Sequence, residues 1–539
     1  VLQVESLKQD GVSFAIEWLD SVHIEYSRAS RAIDNVAHIT TRGEGAIRVT
    51  DFSSPALEAW AVSRGRLLRV LENVRVEEDS GGYAAIVPTG FRGGEYVVFN
   101  PSAVAEVEFV EPLGGTSVRE ETQGAEYVVV AHPSLMDGAR ELAAYRAEQG
   151  LSTLLFDVYD VYDAYSGGTA NSDALAALLR DGFARWDVAP RYLVLVGDGT
   201  FDTLNVSGSG DNLITPPLMD TEGAFFASDS GLGELGGAAG FEVAVGRLPV
   251  RTAEDLDRYL EKIRAFENAE SLPAASEAFV LADNPDEGGD FAASLALALE
   301  AFGDGFSTDG VALDPDAPDI ARDRLLAAVD AGTRYLHFIG HGGLLGLAAE
   351  GVLTRDDVDS LANTESPAIL LAAACLLGRF DLPGARSVSE ALLFDGAGGA
   401  AAVYASAGLE SNENGTRLAR LLASLLGERR HRRLGAVIGE VSALAAGQGI
   451  SAQSVQLHTL QGDPALVVAE SGHEWEQPAR ATTQTPAPPP VSEEPPIDDP
   501  TGSERETPNS PSSSQGCAAS SGFAWGLALA IRRRRKPRA

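Results

Sequence analysis

The sequence predicts an α/β protein: two α/β halves on parallel sheets, preceded by a β-sandwich-like domain and followed by a disordered linker and a short apolar tail. Three observations predict it. From about residue 121, continuous apolar runs such as "EYVVVAH" (126–132) and "AILLAAA" (368–374) alternate with helical patterns, as strands buried on both faces do between crossover helices. Before that point, apolar and polar residues alternate in short runs broken by Gly and Asp. After about residue 476, apolar residues almost vanish until the last two dozen positions.

The elements follow in order. In 1–120, "FAIEWL", "AIRVTDF", "YAAIVPTG", "EYVVFN" and "AEVEFVE" carry the period-two pattern of an antiparallel sandwich. The first run opens so close to Val1 that this domain reads as incomplete. In 121–270, "EYVVVAH" leads to a helix over "LMDGARELAAYRAEQG" closed by Gly150, then "STLLFDVYD", a helix over "SDALAALLRDGFARW" and the strand "RYLVLVGDGTFD". In 271–470, the strands "AFVLAD", "RYLHFIG", "AILLAAA", "GAAAVYAS" and "ALVVAE" alternate with helices over "FAASLALALEAFG" and "ARDRLLAAVDAG". Residues 476–515 are Pro, Ser, Thr and acid, too poor in apolar surface to offset the entropy of ordering. In 516–539, a small-residue stretch with Cys517 precedes an apolar run from Gly522 to Ile531 and a basic cluster from Arg532 to Arg535. That run is shorter than the roughly 20 residues of a spanning helix, but its basic flank has the polarity of a positive-inside anchor.

Composition narrows the function. At 539 residues the chain exceeds what one core organises, and 44% hydrophobic content says that most of it folds. A formal charge of −37 argues against nucleic acid as a partner, because phosphate binding needs clustered Lys and Arg. The two cysteines, Cys375 and Cys517, lie in unlike surroundings and form no disulfide framework. No G-x-S-x-G elbow stands at a strand–helix turn, which excludes the serine α/β-hydrolases.

The chemistry concentrates at two strand ends. In "RYLHFIGHGG" (334–343), His341 follows an apolar strand and is flanked by glycines. In "PAILLAAACLLGRFD" (367–381), Cys375 stands at the end of the next strand, 34 residues on, an interval that fits one loop, one helix and one strand. Neighbouring parallel strands then present a His and a Cys side by side at the carboxyl edge of a sheet, where reacting groups gather. Taken singly, each has a plain explanation: a His in a glycine-rich turn, and a free Cys acting as a small buried hydrophobe. Together they form a thiol beside an imidazole, which is a nucleophile at neutral pH.

These blocks resemble the caspase-like clan of cysteine peptidases, and within it the gingipain family. "YLVLVGD" (192–198), "VAVGRLPVRTAEDLDRYLEKIRAFE" (243–267), "SVSEALLFDGAGGAAAVYAS" (387–406) and "HTLQGDPALVV" (458–468) carry the same resemblance, which covers about 120–470 well and 1–120 loosely. It implies peptide hydrolysis with no cofactor required: Cys375 attacks the carbonyl, His341 moves the proton, and the N–H groups of Gly342 and Cys375 form the oxyanion hole. It also implies an acid that orients the histidine, for which Asp283 falls nearest, with Asn284 competing. Asp286, Glu287 and Asp290 are the acids available to meet a basic substrate side chain. Asp220 and Asp229 are the candidates for a structural Ca²⁺. The tail resembles sorting signals read by myxosortase-type enzymes, which implies processing or lipid attachment at Cys517. The expectation is an exported, surface-tethered cysteine endopeptidase acting on proteins or peptides, touching membrane only through its tail. The competing reading is a surface scaffold with a peptidase-like fold and little activity.

Overall fold

The computed structural model describes residues 29–475 apart from 42–44, 64–65, 73, 90–93, 105–117, 222–223, 237–239 and 269–275. The expected strands "FAIEWL" and "AEVEFVE", the linker, and the tail with Cys517 lie outside the described residues. No helix among the described residues is long and apolar enough to cross a membrane. The chain divides into two compact units, with 17–114 forming the smaller.

The smaller unit pairs two antiparallel sheets. One has four strands, Val36–Thr40, Glu95–Phe99, Glu58–Ser63 and Arg66–Val70 in spatial order; the other has three, Gly45–Phe52, Gly82–Thr89 and Arg75–Asp79. Alternate residues face a shared core of Ile39, Ala61, Tyr96 and Val98 from one sheet with Val49, Phe52 and Val87 from the other. This is the sandwich-like arrangement that period-two patterning implies.

The larger unit is built on one ten-stranded sheet. Its strands in chain order are β1 (Tyr127–Ala131), β2 (Thr153–Asp157), β3 (Tyr192–Val196), β4 (Ala244–Leu248) and β5 (Ala278–Ala282). They continue as β6 (Thr308–Ala312), β7 (Tyr335–Ile339), β8 (Ala368–Ala373), β9 (Ala400–Ser406) and β10 (His458–Gly462). The spatial order is β6-β5-β7-β8-β9-β10-β4-β3-β1-β2. Every neighbouring pair is parallel except β9 with β10. The two parallel blocks therefore run in opposite directions, and β10, the last strand among the described residues, joins the first block to the second.

Two local differences from the sequence reading have simple causes. The closing strand is His458–Gly462, not "ALVVAE": Pro464 has no N–H for the ladder and the chain leaves the sheet there, with 465–468 buried and bonded instead to the 432–434 segment and Glu267. The edge strand β6 was not expected, because "TDGVA" is only partly buried and carries no apolar signature.

The junction is fixed by ions as well as by the sheet. Arg146, on α1 (Met136–Glu148), is fully buried, with its Nε 2.6 Å from Asp463 and a terminal nitrogen 2.7 Å from Glu267 on α2 (Ala253–Asn268). The "GDP" motif thus ties β10 to helices of the first block. Removing one partner of such a buried pair costs about 3–5 kcal/mol, because the other charge is left uncompensated.

Candidate active site

The register of β7 and β8 sets the site. Tyr335 to Ile339 pair with Ile369 to Ala373 in step, and the Gly340 N–H extends the ladder by donating to the Ala373 carbonyl at 3.3 Å. His341 stands two residues past Ile339 and Cys375 two past Ala373, so they occupy level positions. Their backbones leave strands about 4.8 Å apart. Both side chains are buried: His341 is 6% exposed and Cys375 0%.

The glycines beside His341 answer to close packing. A Cβ on Gly340 would come within 2.4 Å of the Asp283 Cβ, and one on Gly342 within 2.6 Å of the Cys375 carbonyl oxygen. No larger residue lets the histidine loop lie against both neighbouring strand ends.

The imidazole is fixed on two sides. Its Nε2 meets Asp286 Oδ2 at 2.8 Å, and Phe291 stands edge-on with ring centroids 5.1 Å apart. Asp286 is held in turn by the Gly288 N–H, which donates to Oδ1 at 2.7 Å in a turn closed by the 286–289 bridge. Asp283, the expected orienting acid, is placed differently. Its Oδ2 accepts from the main-chain N–H of His341 at 2.9 Å and its Oδ1 from that of Asn284 at 2.9 Å, while burial raises its pKa. The sequence reading is corrected here: Asp283 holds the backbone of the histidine, and Asp286 meets the ring. Of the other loop acids, Asp290 caps α3 (Phe291–Phe302) by accepting from the Ala293 N–H, and Glu287 is exposed.

Past Cys375 the chain turns sharply. Leu376 has φ of 61°, a left-handed conformation that costs a bulky residue about 1–2 kcal/mol. It is held by its N–H donating to the Gly408 carbonyl at 3.0 Å and by packing near Ala224, Phe226 and Leu457. Gly378 donates to the Ser406 carbonyl and accepts from Thr459 and Gln461 on β10. The strain sits on the residue that follows the thiol, where strained backbone re-aims a side chain.

Downstream, Ser387 and Glu390 form a capping box at the start of α4 (Val388–Phe394). Glu390 shares one guanidinium with two other acids: Arg251 lies 2.6 Å from Asp198, 3.6 Å from Asp211 and 3.7 Å from Glu390. Burial, then the charge of Asp198, pushes the Glu390 pKa from 4.5 up to about 8. Burial also raises Asp198 to about 6. The folded protein thus keeps a proton on Glu390 that the unfolded chain gives up, and this group makes stability fall as pH rises from about 4.5 to about 8. Glu390→Gln imitates the protonated acid. Urea unfolding is expected to show it more stable than wild type at pH 8, with the two converging below pH 4.5. Equal pH slopes would mean that Glu390 ionises freely in the folded state.

The two calcium candidates have unlike surroundings. Asp229 is buried in a bidentate pair with Arg247, at 2.6 and 2.9 Å, and Asp220 is exposed on the strand Leu218–Thr221. No group of three or more His, Cys, Asp or Glu suited to a metal occurs among the described residues.

The model of Peptidase family C25 matches residues 120–469. Among solved structures, the complex of the Porphyromonas gingivalis RgpB pro- and mature domains superposes with a TM-score of 0.52 at 19% identity, covering 64% of this chain and 79% of that one. The Arg-specific cysteine proteinase gingipain R does so with a TM-score of 0.52 at 19% identity, covering 66% and 80%. A third structure, described only as a protease, gives 0.50 at 16% identity, covering 63% and 78%. At such identities these likenesses show the fold. A search of curated proteins found no match.

Proposed function

The chain belongs to peptidase family C25 and is a cysteine-type endopeptidase, and from that premise we propose that it is exported, tethered at the cell surface, and cuts peptide bonds with Cys375 and His341. The level placement of the two side chains, each two residues past paired neighbouring strands, is the observation that supports the pair. Cys375 attacks the scissile carbonyl as a thiolate, and its proton passes to His341, which returns it to the leaving amine. With Nε2–H directed at Asp286, Nδ1 is the nitrogen that accepts that proton. The N–H groups of Gly342 and Cys375 are the donors for the carbonyl oxygen, and the missing Cβ of Gly342 lets the two segments lie together. Water then releases the acyl group from sulfur. A thiol-directed covalent probe tests the reading directly: it should label Cys375, and peptide substrate should protect against the labelling.

Residues 476–539 support the surface location. Their Pro-rich acidic stretch suits a tether, and the apolar run from Gly522 to Ile531 can enter lipid with Arg532 to Arg535 at the headgroups. Deleting 516–539 is expected to move the protein from the surface fraction to the medium with peptidase activity unchanged. A truncated form that stays cell-associated would refute the anchor, and one that loses activity would make the tail part of the enzyme.

A further inference from the structure

Two contacts of the Cys375 sulfur come from a residue 35 positions downstream. The Glu410 N–H donates to it at 3.3 Å, and the Glu410 carbonyl accepts from it at 3.4 Å. Glu410 directly precedes Ser411, the N-cap of α5 (Asn412–Gly427), so this amide stands at the positive end of a 16-residue helix. The helix is capped without Glu410, since Ser411 Oγ accepts from the Asn414 N–H at 3.3 Å.

The Glu410 carboxylate is nevertheless buried, with the residue 4% exposed. One oxygen accepts from the Ser411 N–H at 2.9 Å, and the other accepts from the Ser454 hydroxyl and lies 3.5 Å from His458 Nδ1. That nitrogen donates to the Ser454 carbonyl at 2.8 Å, and burial pushes the His458 pKa down to about 4, so the ring is neutral. A desolvated carboxylate anchored to Ser411 and Ser454 fixes the backbone that carries it.

We infer that Glu410 is a positioning residue for the peptidase reaction: its buried carboxylate locks residues 407–411 so that its own amide N–H stays on the Cys375 sulfur and holds the thiolate once His341 has taken the proton. This rests on Cys375 being the nucleophile. Titratable groups near the thiol include Glu410, which meets it directly, His341 past the neighbouring β7, Tyr404 on the neighbouring β9, and His458 on β10 beside Tyr404 and Glu410. The N–H contact is direct, whereas the carboxylate is occupied by other partners. The Glu410→Gln variant separates position from charge.

The test is the pH profile of iodoacetamide alkylation in the full chain, read at Cys375 by mass spectrometry without substrate. Glu410→Ala should react about tenfold more slowly at pH 7, with its alkylation midpoint about one unit higher, as expected from losing one charge-assisted hydrogen bond. Glu410→Gln keeps the acceptor and should stay within about twofold of wild type. Ser454→Ala keeps the Glu410 charge but frees the carboxylate. It should shift the profile in the same direction, and it serves as the test if Glu410→Ala does not fold. Wild-type or faster alkylation in the alanine variants overturns the inference. So does a Glu410→Gln shift as large as that of Glu410→Ala, which would make the effect one of charge. If the wild-type thiol itself is inert at pH 7, the peptidase reading falls and takes this inference with it.

Discussion

Cys375→Ala is expected to abolish peptide hydrolysis, a loss of about 10³-fold or more, while the protein folds as before. In the proposed mechanism the thiol supplies the covalent step, whereas folding loses only a small side chain and the acceptor of the Glu410 N–H, so stability should fall by no more than about 1–3 kcal/mol. Circular dichroism and urea unfolding check the second half of that statement and peptide turnover the first. His341→Ala should be nearly as inactive, because the thiol then has no base to take its proton and the amine no acid to leave with. The same variant should alkylate Cys375 far more slowly at pH 7. Turnover by the alanine variant at Cys375 would refute the mechanism. Equal alkylation rates with and without His341 would show that the two side chains do not work together.

Much of this arrangement is written in local sequence. Strands buried on both faces read as unbroken apolar runs, and the helices between them keep their period. The ends of Met136–Glu148, Ser172–Arg185 and Phe291–Phe302 accordingly fall close to where the pattern changes. That His341 and Cys375 follow neighbouring strands was legible because each stands at the end of such a run at a matching interval. What the sequence hides is contact made by turns and by distance. The edge strand Thr308–Ala312 has no apolar run because only part of it is buried. The fusion of both blocks into one sheet depends on a ladder between Ala402–Ser406 and His458–Gly462, whose partners are about 55 residues apart and share no pattern. Glu410 reaches the thiol from the segment between β9 and α5, and nothing in "AGLESNEN" marks it as more than a helix start. Asp463 was visible as a motif, but its partner, Arg146, lies 317 residues away.

The acids behind the histidine show the same limit and give the second large effect. An aspartate at the end of β5 was the natural choice, and Asp283 does occupy that position, bonded to the His341 main chain. Its loop then turns through Gly288 and Gly289 and carries Asp286 back to the ring, a step set by turn chemistry rather than by strand periodicity. The two acids should therefore fail in different ways. Asp286→Ala removes the partner of Nε2, so the ring loses both its preferred tautomer and the charge that stabilises the imidazolium. Loss of such an orienting acid is expected to lower kcat/KM by about 10²–10⁴-fold, mostly in kcat, with the melting curve unchanged. Asp283→Ala instead leaves two main-chain N–H groups without their acceptor and should cost about 1–3 kcal/mol of stability. Its activity should follow the folded fraction. The reverse outcome, full activity in Asp286→Ala and a folded but inactive Asp283→Ala, would return the orienting role to Asp283. It would also mean that the 2.8 Å contact between His341 and Asp286 plays no part in catalysis.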